Sequence, residues 1–122
     1  MYQLSIRKEF SAAHRLREYQ GKCEALHGHN WKVDILVSSS KLNKIGIVAD
    51  FKDLKTILNK VLEELDHAYL NDIPYFRKHN PTSENIAKYI FTRLKPQTDK
   101  LKVKLSRVTV WESDSANASY TQ

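Results

Sequence analysis

The segment CEALHGH, residues 23–29, gathers the chain's one cysteine, an acid and two of its five histidines. These are residue types that bind metals and move protons. His27 and His29 lie two apart at the entry to an alternating stretch, so on a strand their side chains leave the same face. Two imidazoles on one side of a rigid strand form a bidentate clamp for Zn²⁺. A third ligand is needed, and His14, near the end of the first alternating segment, supplies it if the two strands pair. Ligation by histidines alone, with an open fourth position, is the layout of a catalytic zinc. Cys23 can close that position and make the site structural, or serve as a thiolate base beside cationic groups. Glu24 can take the base role instead.

Further acids and histidines could serve the same chemistry. Asp66 and His67 fall at the end of a helical stretch, and a carboxylate that orients an imidazole makes a proton donor or acceptor. Taken alone, the pair reads equally as an ordinary helix C-terminus, where histidine suits the dipole. Glu112 is in phase with Val108 and Val110, which puts an acid at a strand's exposed end or in a binding role. A carboxylate there accepts two parallel hydrogen bonds from an amidine-like edge such as that of a 2-amino-4-oxo ring. His79 reads as loop surface.

The elements that must position these groups follow from periodicity. YQLSIRKEF alternates, with Tyr2, Leu4 and Ile6 on one face, and predicts a half-buried strand continuing toward His14. HNWKVDILVSSS alternates with Trp31, Val33, Ile35 and Val37 inward, and an extension beyond the KLNKIG turn is its expected mate. Phe51, Leu54, Ile57, Leu58, Val61, Leu62 and Leu65 recur at helical spacing behind an Asp50 N-cap. Thr82 caps a second helix with Ile86, Ala87, Ile90, Phe91 and Leu94 as its stripe, ended by Lys95–Pro96. Strands return with Leu101, Val103 and Leu105, shift phase before Val108 and Val110, and finish with a short strand including Ala118 and Tyr120. The phase shift predicts a bulge or bend. The order ββααββ implies one α+β domain over residues 1–122, an antiparallel four-stranded sheet with two helices on one face.

A formal net charge of +6 favours anionic partners, but the lysines alternate with core-type residues and form a solvated face. No nucleic-acid-binding pattern is present, and no apolar run approaches a membrane span. The N-terminus lacks the layout of a signal peptide, and a single cysteine forms no internal disulfide, so the cytoplasm is the expected compartment.

The motifs FSAAHRL, CEALHGH, GIVADF, LDHAYLND, NPTSEN and VWES occur in the order and near the spacing of the 6-pyruvoyltetrahydropterin synthase / 6-carboxytetrahydropterin synthase family, which the whole chain resembles. Its length is similar to that of the family's queuosine-pathway type. The resemblance implies a tunnelling fold, in which sheets of several subunits join into a barrel, as a homohexamer built from a dimer of trimers. It implies Zn²⁺ on His14, His27 and His29, Cys23 as base, and Asp66–His67 as a proton relay from a neighbouring chain. It further implies Glu112 gripping a pterin ring, helped by groups near Thr82 and Ser83. The implied substrate is 7,8-dihydroneopterin triphosphate and the implied product 6-carboxy-5,6,7,8-tetrahydropterin. Members that make 6-hydroxymethyl-7,8-dihydropterin resemble E-x-x-H-G-H, with glutamate replacing the cysteine. CEALHGH fits both patterns, so a folate-type or dual activity through Glu24, or 6-pyruvoyltetrahydropterin synthase activity, is the alternative.

Overall fold

The computed structural model describes residues 1–21 and 24–122. Two long strands form its axis, β1 (Tyr2–His14) and β2 (His27–Ser39), paired antiparallel along their whole length. Alternation puts Ile6, Phe10 and Ala12 of β1 with Trp31, Val33, Ile35 and Val37 of β2 in the core. The register ends on His14 opposite His27, with His29 opposite Ala12. The pairing that the third ligand required is therefore present.

Helix α1 (Phe51–Glu63) begins at Asp50, whose side chain accepts a hydrogen bond from the Lys52 N–H. Such a cap contributes about 1 kcal/mol. Leu54, Leu58, Val61 and Leu62 of its stripe are buried, while Phe51 stays half exposed at the helix start. Helix α3, which spans Ser83–Lys100, is capped by Thr82, whose hydroxyl accepts from the Asn85 N–H. Both helices lie against one face of the sheet, and their buried stripes join a single hydrophobic cluster with β1, β2 and β4 (Lys104–Ser113).

Four expectations need correction. Among the described residues the sheet has five strands in the order β3-β1-β2-β4-β5, with β3 (Ala68–Tyr69) parallel to β1 at one edge and β5 (Ala116–Tyr120) at the other. A strand of two residues carries no periodicity to read. A third helix, α2 (Pro74–Lys78), sits between α1 and α3, too short to show a stripe although Pro74 occupies the first-turn position where proline is favoured. Helix α3 also runs on past Pro96. Proline there removes one backbone donor, but Leu94 and Thr98 are fully buried on either side and hold the next turn in place.

β2's partners are β1 and β4, and the residues after it form no paired extension. Residues 43–47 instead make a tight loop in which the Asn43 side chain accepts from the Ile45 and Ile47 N–H groups, and Gly46 takes a positive φ of 85°. The phase shift in β4 is real. Leu36 pairs with Arg107 and Val37 with Leu105, so Ser106 is the extra residue of a bulge.

The sheet's other face is polar. On it Arg7 grips Asp34, its direct cross-strand partner, with two hydrogen bonds of 2.6 and 2.9 Å, and the Trp111 indole N–H donates to the same carboxylate. The Arg7 hydrogen bond holds the Asp34 carboxyl below its ordinary value; burial opposes this, and Trp111 adds to it. A depressed carboxylate stabilises the fold above its unfolded pKa, near 3.8, and that contribution is lost as pH falls through the folded value. Asp34→Asn is therefore expected to lower Tm near neutral pH and to flatten the further loss below about pH 4. Tm measured against pH checks both; parallel acid limbs for the two proteins would refute the assignment.

A three-histidine centre at the end of the β1–β2 ribbon

The ribbon's end carries three imidazoles on the helix-covered face. One ring nitrogen from each of His14, His27 and His29 lies within 4.8 Å of the others, and the set is a candidate metal-holding group among the described residues. His14 is 1% exposed, so its ring needs partners. Its Nδ1 lies 2.8 Å from the Pro81 carbonyl, and His27 Nδ1 lies 2.8 Å from the Ala25 carbonyl. A carbonyl only accepts, so both Nδ1 atoms carry hydrogen in these bonds. In the neutral tautomer each Nε2 is then a bare lone pair, and the two face each other at 3.0 Å.

Two lone pairs at that separation repel unless a cation lies between them. The third member points the same way, because His29 Nε2 is buried and has no hydrogen-bond partner among the described residues. Burial pushes the His29 pKa down, against the pull of Glu112, and keeps the ring in the neutral form that ligates. A tetrahedral centre with bonds of about 2.0–2.1 Å separates its ligand nitrogens by roughly 3.3 Å. The residues present therefore fit a metal ion, with each bonded histidine's outer nitrogen held by a carbonyl as ligating histidines require.

Trp31 is the wall behind the cluster. It continues the phase of His27 and His29, is fully buried, and meets the His14 and His29 rings edge to face at 4.9 and 5.1 Å. Its indole N–H donates to the Ala12 carbonyl, which fixes the ring's position. Sequence reasoning missed Trp31 as a site residue, although a residue two beyond a His-x-His pair shares its face. It also missed Pro81, whose contribution is a backbone carbonyl and carries no side-chain signal.

Two acids border the histidines. Glu112 Oε1 is 3.8 Å from His29 Nε2, and Glu24 Oε1 is 3.6 Å from His27 Nδ1. Glu24 has a second engagement: its carboxylate accepts from the Leu16 N–H, and its own N–H donates to the Leu16 carbonyl. Thr82 follows Pro81, so the α3 N-terminus with Thr82 and Ser83 is joined to the residue that holds His14. Cys23 lies outside the described residues.

Asp66 and His67 do meet, His67 Nδ1 lying 3.0 Å from Asp66 Oδ2. They are pinned to β1 by Ser11, whose N–H donates to Asp66 Oδ1 and whose carbonyl accepts from the His67 N–H at 2.6 Å. Those contacts, the Ser11 bond foremost, hold the Asp66 carboxyl below its ordinary value and keep it charged. His67 takes a left-handed φ of 56°, strained for a residue with a Cβ, and the turn delivers Ala68 to its pairing with Ala12. The pair is not beside the three nitrogens. His67 lines a depression of about 440 Å³ at the β3 edge with Ser11, Ala12, Ala13, Gly28 and Asn30; of the cluster, His29 alone also borders it.

Comparison with known proteins places the chain in a family. The family model described as 6-pyruvoyl tetrahydropterin synthase matches residues 3–122. A 6-carboxy-5,6,7,8-tetrahydropterin synthase of Synechocystis is 44% identical over 96 residues, covering 73% of each chain. A dihydroneopterin monophosphate aldolase of Pyrococcus furiosus is 38% identical over 108 residues, covering 88% of this chain and 87% of that one. Among solved structures, 6-pyruvoyl tetrahydropterin synthase of Caenorhabditis elegans superposes with a TM-score of 0.86 at 28% identity, over 99% of this chain and 95% of that one. The chain belongs to the 6-pyruvoyl tetrahydropterin synthase family.

Proposed function

We propose that this single-domain chain converts 7,8-dihydroneopterin triphosphate to 6-carboxy-5,6,7,8-tetrahydropterin, releasing acetaldehyde and triphosphate, as a cytoplasmic step of queuosine synthesis. One observation carries the reading: one ring nitrogen of each of three histidines converges within 4.8 Å, and two of the rings have their other nitrogen against a backbone carbonyl. Zinc, when bound, supplies a Lewis acid that acidifies the hydroxyls of the pterin side chain. His14, His27 and His29 would hold it, and the Trp31 wall keeps water from one side of the centre.

The remaining roles fall to side chains around that centre. Cys23, four residues before His27, is the base that takes a proton from the substrate side chain. Glu112, beside His29, accepts paired hydrogen bonds from the pterin's amino-pyrimidine edge, with Thr82 and Ser83 at the neighbouring helix N-terminus. Asp66 fixes the His67 Nδ1–H and leaves Nε2 to give or take a proton on the other side of the substrate. His67 lines a depression that neither His14 nor His27 borders, which supports a site completed by a second subunit. Open sheet edges support the same reading: among the described residues β3 covers only Ala12 and Ala13 of β1, and β5 ends the other edge with no further strand. A homohexamer, a dimer of trimers, joins such edges into barrels.

A second reading has its own support. The resemblance to an aldolase acting on dihydroneopterin monophosphate, with Glu24 beside His27, favours carbon–carbon cleavage to 6-hydroxymethyl-7,8-dihydropterin through Glu24. Products of the zinc-loaded protein, identified by mass spectrometry, separate the two. The first reading expects 6-carboxytetrahydropterin with acetaldehyde, lost by roughly 100-fold or more in Cys23→Ala and retained in Glu24→Ala. The hydroxymethyl product, lost in Glu24→Ala instead, would establish the second. Zinc binding without turnover of either phosphate ester would sink both.

A further inference from the structure

Beyond His14 β1 ends, and the backbone of the next three residues is bonded largely by side chains. Arg15 gives its N–H to Asn71 Oδ1 at 3.0 Å and takes the Asn71 amide N–H on its carbonyl at 2.8 Å. Arg17 does the same with Asn80, at 2.8 and 2.9 Å. Between them Leu16 exchanges both backbone groups with Glu24. Three consecutive residues are thus fully satisfied, two by asparagine amides acting as peptide surrogates and one by the segment that leads into His27.

Asn80 differs from Asn71 in what it is attached to. The next residue is Pro81, whose carbonyl fixes the His14 tautomer, and the next is Thr82, the cap of α3. Asn80's own carbonyl accepts from the Asn85 side chain and the Thr82 N–H. The dipeptide Asn80–Pro81 therefore touches the 14–17 segment twice, at the His14 ring and at the Arg17 backbone. It is itself held by the first turn of an 18-residue helix.

We infer that Asn80 is a positioning residue of the metal centre: it locks the 80–81 backbone against Arg17, so that the Pro81 carbonyl stays on His14 Nδ1 and the His14 lone pair stays inward. This rests on the metal-binding reading above. A misplaced Pro81 carbonyl frees the His14 ring to turn over, which removes one of three ligands in a fraction of molecules.

Asn80→Asp keeps the acceptor for the Arg17 N–H and sets a carboxylate oxygen against the Arg17 carbonyl. Zinc affinity, measured by competition with a chromophoric chelator, is expected to fall by about tenfold or more, as for other residues that orient a ligating histidine. Asp50→Ala, which removes the α1 cap far from the centre, is the stability control and is expected to keep wild-type affinity within about twofold despite a lower Tm. Equal affinity in Asn80→Asp and wild type, or equal losses in Asn80→Asp and Asp50→Ala, would overturn the inference. Should Asn80→Asp not fold, Asn85→Ala loosens the same clamp: weakened zinc binding supports it, and wild-type affinity overturns it. The ¹⁵N spectrum of zinc-free protein supplies an independent reading. There the His14 Nδ1–H signal is expected in wild type and lost or broadened in the variant, and its persistence would count against Asn80. Failure of wild type itself to bind zinc overturns the metal reading, not the clamp, which the spectrum still decides.

Discussion

Replacing His29 by alanine is expected to abolish tight metal binding and turnover while leaving the metal-free fold about as stable as before. The two effects come from one atom. His29 Nε2 is buried without a partner among the described residues, and such a group costs the folded state about 1–3 kcal/mol. Removing the ring relieves that cost and gives up its edge-to-face contact with Trp31, worth about 0.5–1.5 kcal/mol, so the terms largely offset. The metal loses one of three protein ligands, and affinity falls by more than about 100-fold, or roughly 2.7 kcal/mol.

His14→Ala gives the contrast. That ring is 1% exposed, bonded to Pro81 and packed on Trp31, so its removal leaves a cavity and an unpaired carbonyl. The expected loss in the metal-free protein is about 2–4 kcal/mol, a clear fall in Tm. Calorimetry of both variants without metal, beside metal titrations, reads the difference. If His29→Ala proved as destabilising as His14→Ala without metal, the three rings would be a structural polar cluster and the metal assignment would fail.

Most of the scaffold was legible because it repeats. Strand alternation in residues 2–14 and 27–39 placed three histidines on one face, and the two caps, Asp50 and Thr82, sit where their side-chain chemistry puts them. The phase slip in β4 marked a bulge that the register shows at Ser106. What stayed hidden is short or carried by backbone. β3 exists because Ser11 and a left-handed His67 turn the chain against β1, and no two-residue pattern announces that. Proline read as a stop at position 96 because its local cost was visible and the tertiary burial of Thr98 that outweighs it was not. The Asp66–His67 contact is a further case: adjacent residues on a helix point apart, and they meet here only because α1 has already ended at Glu63.

Mixing two inactive variants, His29→Ala and His67→Asn, is expected to restore activity that neither has alone. His67→Asn removes the proton-carrying group, a loss of about 10²–10⁴ in kcat for a positioned acid or base. Asp66→Asn should fall in the same range for a different reason. Its amide oxygen can still accept from Ser11, but its N–H₂ then faces His67 Nδ1 and demands the other tautomer. Within one chain His67 sits at the β3 edge, in a depression that His29 borders but that His14 and His27 do not line. On the proposed reading, a site that uses both takes the histidines of one subunit and the relay of its neighbour. Random reassembly of the two variants then leaves about a quarter of the sites with both halves wild-type, provided the oligomer is closed and symmetric. Recovery near that fraction after unfolding and joint refolding establishes a shared site. Activity no greater than the sum of the separate variants, in mixtures shown by native mass spectrometry to have exchanged subunits, would confine the chemistry to one chain and remove His67 from it. The two outcomes separate cleanly because the His29 variant disrupts the metal centre alone and the His67 variant leaves all three ring nitrogens of that centre in place.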